Sequence, residues 1–157
     1  MKKIFLTVFA VLLLAGIALA NGGFKQSVWN QNGGTVTALM GINLPAFVLE
    51  KSVFQGSLLA DSSDNVRSGN VYSSIKGKAG SIYQIIGTFS GRITTCQEIS
   101  NYQTHCFATG MYNGVDSTME FQARDDGTTR YRIKRNSDNV ILARVIDMDG
   151  TYNFNAI

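Results

Sequence analysis

Along the last third of the chain, apolar and polar residues take turns. Met119, Phe121 and Ala123 alternate with Thr118, Glu120, Gln122 and Arg124; beyond Asp126-Gly127, Tyr131 and Ile133 alternate with Arg130, Arg132 and Lys134. A period of two puts successive side chains on opposite faces of a strand. Asp126-Gly127 suits a hairpin turn, because Gly accepts positive φ and Asp tolerates it. Asn136 to Asn139 reads as a second turn, Val140 to Met148 as a mostly apolar strand, and Asp149-Gly150 as a third turn; Tyr152, Phe154 and Ala156 form a last alternating run. The pattern predicts a C-terminal four-strand antiparallel meander.

Upstream the same punctuation recurs. Val36, Ala38 and Met40 alternate behind a Gly33-Gly34 turn, and an apolar segment from Phe47 to Phe54 follows the single proline, Pro45. Asp61 to Asn70 reads as a polar loop. Val71 to Ile75 and Ile82 to Phe89 flank a turn at 76–80, and Gly91 to Cys96 and Cys106 to Tyr112 flank a loop bounded by the two cysteines. About 8–11 short strands at this spacing predict an all-β fold, either a single antiparallel β-barrel or a β-sandwich. A short helix within 44–60, with Leu44, Phe47, Val48 and Lys51 on one side, is the competing local pattern. Composition agrees with strands. The chain of 157 residues has 16 Gly, one Pro and three Glu (Glu50, Glu98, Glu120), poor material for helical bundles, and at 45% apolar it is too oily for a disordered chain.

The first twenty residues follow another pattern. Lys2-Lys3 precede an apolar run from Ile4 to Ala20 that closes on Ala18-Leu19-Ala20, a small-x-small cleavage sequence. This predicts a secretory signal peptide over 1–20, bacterial in style, and a single secreted domain over 21–157, periplasmic or extracellular. The rival is a retained transmembrane anchor, for which the run is at the short end of the spanning range. No Cys follows the run, which speaks against an acylated N-terminus. Removing Lys2 and Lys3 leaves 12 Lys+Arg against 11 Asp+Glu. So nearly neutral a domain gives no overall argument for nucleic acid, and none is expected as a partner. Membrane contact is expected only through an uncleaved leader or in the outer-membrane alternative below. In an oxidising compartment Cys96 and Cys106 should form a structural disulfide around Gln97 to His105.

Groups for chemistry are sparse. Two Cys and one His cannot build a Cys/His zinc site of the usual structural kind, and no Gly-x-Ser-x-Gly marks a nucleophile. Asp147-Met148-Asp149-Gly150 has the start of a calcium loop but lacks its third donor and its Glu, so a turn accounts for it. No catalytic residue, metal or cofactor is expected. Two groups stand out for binding. Arg130, Arg132 and Lys134 share one face of a strand, with Arg124 and Arg144 on the strands either side, a candidate cationic face for phosphate, anionic lipid or an acidic partner. Glu98, Asn101, Tyr102 and His105 lie on the disulfide-closed loop, a candidate recognition element. Trp29 reads as packing, with a ligand cavity as the alternative.

Ser68-Gly69-Asn70-Val71-Tyr72 resembles the Ser-Gly-x-x-Tyr string of periplasmic inhibitors of c-type lysozyme, which are small secreted β-barrels; three residues of five are fixed. The resemblance implies an inhibitor of a lytic enzyme as one version of a binding protein. The expected function is an exported non-enzymatic β-domain that binds a small ligand, a glycan or a protein. The alternatives are a small outer-membrane β-barrel, with the Arg/Lys face lining its lumen, and a hydrolase that uses His105 as base.

Overall fold

A computed structural model describes residues 23–41, 48–79 and 81–157. The leader over 1–20 lies outside the described residues, as does 42–47 within the segment read as a competing helix. The fold is a closed antiparallel barrel of eight strands in chain order: β1 (Phe24–Leu39), β2 (Val48–Asp61), β3 (Val66–Ala79), β4 (Ile82–Ile99), β5 (Thr104–Tyr112), β6 (Val115–Ala123), β7 (Thr129–Arg135) and β8 (Ile141–Ala156). Each strand pairs with its chain neighbours, and β8 returns to β1, where Lys25 lies opposite Ala156. Beyond that pair Phe24 and Ile157 exchange backbone hydrogen bonds in both directions. Closure pairs every strand on both sides, removing the open edges that invite aggregation.

The turns follow from local chemistry. Asn113 and Gly114 both have positive φ, 49° and 80°, as a two-residue hairpin between β5 and β6 requires. Between β6 and β7, Asp126 accepts hydrogen bonds from the Thr128 amide and hydroxyl while Gly127 takes φ 84°. At the β2–β3 turn Asp61 Oδ1 accepts from the amides of Ser63 and Asn65, an Asx arrangement.

Inward residues fill the barrel. Trp29 is 1% exposed, and Phe54, Phe89, Met119, Ile133, Val145 and Met148 are fully buried. The Trp29 ring meets Phe121 edge-on at 5.3 Å, Phe54 at 6.3 Å, and stacks on Tyr152 at 6.0 Å. An eight-stranded barrel is just wide enough for side chains to fill. Burial raises the Tyr112 phenol to about 12 and pushes Tyr131 higher still. The Tyr131 hydroxyl faces Ser73 without reaching hydrogen-bond geometry. Outward positions are mostly polar: Gln26, Asn30, Gln55, Ser90, Thr109, Arg130 and Asn153 are all exposed.

Eight strands stand at the low end of the expected count, about 8–11, and they are longer than the sequence pattern predicts, because several glycines read as turns lie inside strands. Gly33-Gly34 (φ 74° and 80°) is a bend within β1, and Asp149-Gly150 (Gly150 φ 153°) a bend within β8. The two bends face each other, with Gly33 opposite Met148 and Gln31 opposite Gly150, so the ladder coils there without breaking. The stretch from Thr118 to Ala156, read as four strands, is therefore three, β6 to β8, with Tyr152 to Ala156 belonging to β8, and β5 completes a four-strand C-terminal meander. Likewise Gly91 to Cys96 continues β4. Over the described part of the segment read as a competing helix, residues 48–60 are strand β2.

Candidate functional site

The face over β5 to β8 collects the charged side chains. Alternation turns Tyr131 and Ile133 into the barrel and Arg130 and Arg132 outward. The β6–β7 hairpin sets Gln122 opposite Arg130 and Glu120 opposite Arg132. Arg130 donates through Nε and Nη2 to Gln122 Oε1, at 2.9 and 2.5 Å. Arg132 Nε donates to Glu120 Oε2, and His105 Nε2 lies 2.9 Å from Glu120 Oε1. Both oxygens of Glu120 are thereby engaged, and Arg130 and Arg132 are held in fixed directions. Exposed ion pairs add little stability, so orientation is what these contacts contribute.

Across the other side of β7, Arg132 lies directly opposite Arg144 of β8. Like charges facing each other across strands are destabilising. Arg144 has no hydrogen-bond or ion-pair partner among the described residues; the Glu120 carboxylate, bonded to Arg132 in the same groove, offsets the repulsion only in part. A groove of about 480 Å³ opens between them, bordered by His105, Glu120, Arg130, Arg132 and Arg144 over Ile146. A second groove of about 290 Å³ holds Tyr102, Gln103, Arg124 and Asp125 and shares Gln122 and Arg130 with the first. The two adjoin, with the hydrogen-bonded Arg130–Gln122 pair between them, as a two-part trough.

Burial alone would raise the Glu120 carboxyl; hydrogen bonds from His105 and Arg132 outweigh it and hold the group below its ordinary 4.5. A depressed carboxyl stabilises the fold above its unfolded value, and that contribution fades as pH falls through the lower folded value. The stability gap between wild type and Glu120→Gln is therefore expected to shrink as pH falls below about 4. Urea titrations at several pH values between about 5 and 3 check this; a gap that widens over that range contradicts it.

The trough unites part of each sequence-predicted group. Arg130, Arg132 and Arg144 border the first groove and Arg124 the second, while Lys134 lies apart, level with Thr118 and Ile141. The loop residues fan out. Tyr102, 69% exposed, reaches the second groove and His105 the first, but Asn101 lines a separate groove with Tyr152 to Asn155 of β8, and Glu98 borders none of the three grooves. Glu98 and His105 are register partners across β4 and β5. The loop is tied down by Tyr152, whose hydroxyl donates to the Ser100 carbonyl and contacts Thr104 Oγ1. Cys96 and Cys106 are bridged, consistent with an oxidising compartment. Trp29 is packing. In the Ser-Gly string Gly69 is needed for space, since a Cβ there would meet Ile93 and the Ser57 carbonyl at 3.0 Å, and Tyr72 faces outward. Glu120 and Gln122, absent from the sequence-level candidates, were reachable by counting: they mirror Arg132 and Arg130 about Asp126.

No family model matches the chain, and neither a curated protein nor a solved structure is significantly similar to it.

Proposed function

We propose that the protein is an exported, water-facing β-barrel that binds an anionic ligand on its β5–β8 face, without catalysis. The observation that carries this reading is Arg144: an unpartnered guanidinium set opposite a second, oriented one across an open groove. An anion between the two would turn a repulsive pair into a seat, and planar guanidinium forks match carboxylate, sulfate and phosphate oxygens. The leader-like start and the disulfide support export. The oily interior and polar exterior support a soluble barrel, because a membrane-spanning barrel needs an apolar outer band around a polar lumen. Against a hydrolase, no Ser, Thr or Cys lines the groove as a nucleophile for the His105–Glu120 pair to activate.

Inorganic sulfate is expected to shift amide resonances of β7 and β8 and to raise the melting temperature. Arg144→Gln should weaken sulfate binding about tenfold or more, the worth of one charge-assisted hydrogen bond, and leave unliganded stability unchanged or improved. Sulfate titrations followed by NMR test this; shifts absent from β7 and β8, or equal affinity in Arg144→Gln, would overturn the reading.

A further inference from the structure

Building on the anion seat just described, we infer that the occupant is an acidic glycan, a chain of hydroxyl-rich sugars carrying spaced carboxylates, laid along the trough from Arg144 to Tyr102. The trough has more than a single ion requires. Two grooves adjoin at Gln122 and Arg130, and arginines recur along them: Arg132 with Arg144 in the first groove, Arg124 with Arg130 in the second. Neighbouring positions on the same face of β7 are about 6.6–6.8 Å apart along the strand, so Arg130 and Arg132 present two separate seats.

The acids in the trough select the polymer. Asp125 stands in the second groove and Glu120 in the first. Single-stranded DNA or polyphosphate, short of hydroxyl donors, meets repulsion at both. A sugar chain gives each acid hydroxyl groups to accept from and gives each arginine a carboxylate. The side chains of Gln103 and Gln122 add amide groups of the kind that bond hydroxyls. At the end of the trough Tyr102, 69% exposed, offers a flat ring with one face for a pyranose and a hydroxyl at its tip. A lipid surface fits less well: of the exposed large apolar residues only Tyr102 borders the trough, while Ile82, Ile85 and Met111 lie on β4 and β5, outside both grooves, so a membrane would find a single ring beside the arginines.

Calorimetric titration of the full folded domain with oligogalacturonate, its methyl ester, single-stranded DNA and inorganic sulfate tests the inference. Oligogalacturonate should bind at least tenfold more tightly than sulfate, and its methyl ester should fail to bind. Tyr102→Ala should weaken the oligosaccharide about three- to tenfold and leave sulfate unaffected. Arg132→Gln and Arg144→Gln should weaken both. If sulfate binds through Arg132 and Arg144 but the oligosaccharide is no tighter, or Tyr102→Ala changes nothing, the glycan is excluded and the anion seat stands. Tighter binding of DNA than of oligogalacturonate overturns the inference in favour of nucleic acid. No binding by any probe overturns both. Tyr102 is too exposed for its loss to unfold the barrel, and a melting curve for each variant verifies that.

Discussion

Trp29→Ala should lower the free energy of unfolding by about 3–5 kcal/mol, the cost of removing a large aromatic from a filled core. The indole is 1% exposed and touches the rings of Phe54, Phe121 and Tyr152, which come from strands all round the barrel. Collapse into the gap is opposed because those strands are fixed in a closed ring. Against a total stability of about 5–15 kcal/mol for a domain of this kind, the loss is about a fifth or more. Trp29→Phe should lose much less. It keeps a ring in place and deletes the indole N–H, which is buried without a hydrogen-bond partner, so part of the lost packing is offset. Urea unfolding followed by far-ultraviolet circular dichroism is the appropriate measurement, because Trp29 is the lone tryptophan and its fluorescence disappears with it. A loss under about 1 kcal/mol would show that the interior is looser than its packing implies.

Opening the Cys96–Cys106 bridge should cost about 2.7 kcal/mol, the loop-closure entropy for a separation of 10 residues. For a domain of this length that lowers the melting temperature by roughly 10 °C. The native barrel should survive, because Cys96 and Cys106 remain register partners in the β4–β5 ladder without the bond. The denatured chain, freed of its cross-link, expands, so the dependence on denaturant should steepen as the midpoint falls. Reducing the intact protein and substituting both cysteines by alanine should agree, the second slightly larger because Cys106 is fully buried. Identical melting of oxidised and reduced protein would assign the bridge no stabilising role.

The strand class was legible because alternation survives wherever one face is buried, as at Met119 to Ala123 and Arg130 to Lys134. The strand lengths were not, because Gly33-Gly34, Gly91 and Gly150 carry the same letters whether they end a strand or bend it. Here they bend it or let backbones approach: a Cβ on Gly150 would sit 2.3 Å from the Asn30 carbonyl, and one on Gly91 2.6 Å from that of Thr109. For the site, spacing along β7 gave Arg130 and Arg132, and hairpin arithmetic about Asp126 would have given Gln122 and Glu120. Arg144 is different. Its place opposite Arg132 depends on the β7–β8 register, which shifts between Thr129 and Tyr131 and again between Ile133 and Lys134. Tyr102 meets Arg124 because an up-and-down barrel puts the β4–β5 and β6–β7 turns at one end, a choice that sequence left open against a sandwich.

The pairing of Phe24 with Ile157 has a kinetic side. The β1–β8 seam joins residues well over a hundred positions apart, and contacts of such separation form slowly because so much chain must be corralled first. A polypeptide synthesised from its N-terminus completes β1 first and the other half of its seam last. Until then β1 has a bare flank, the vulnerable interval in which a holding chaperone would do most good. Losing the final strand to premature termination would make that interval permanent.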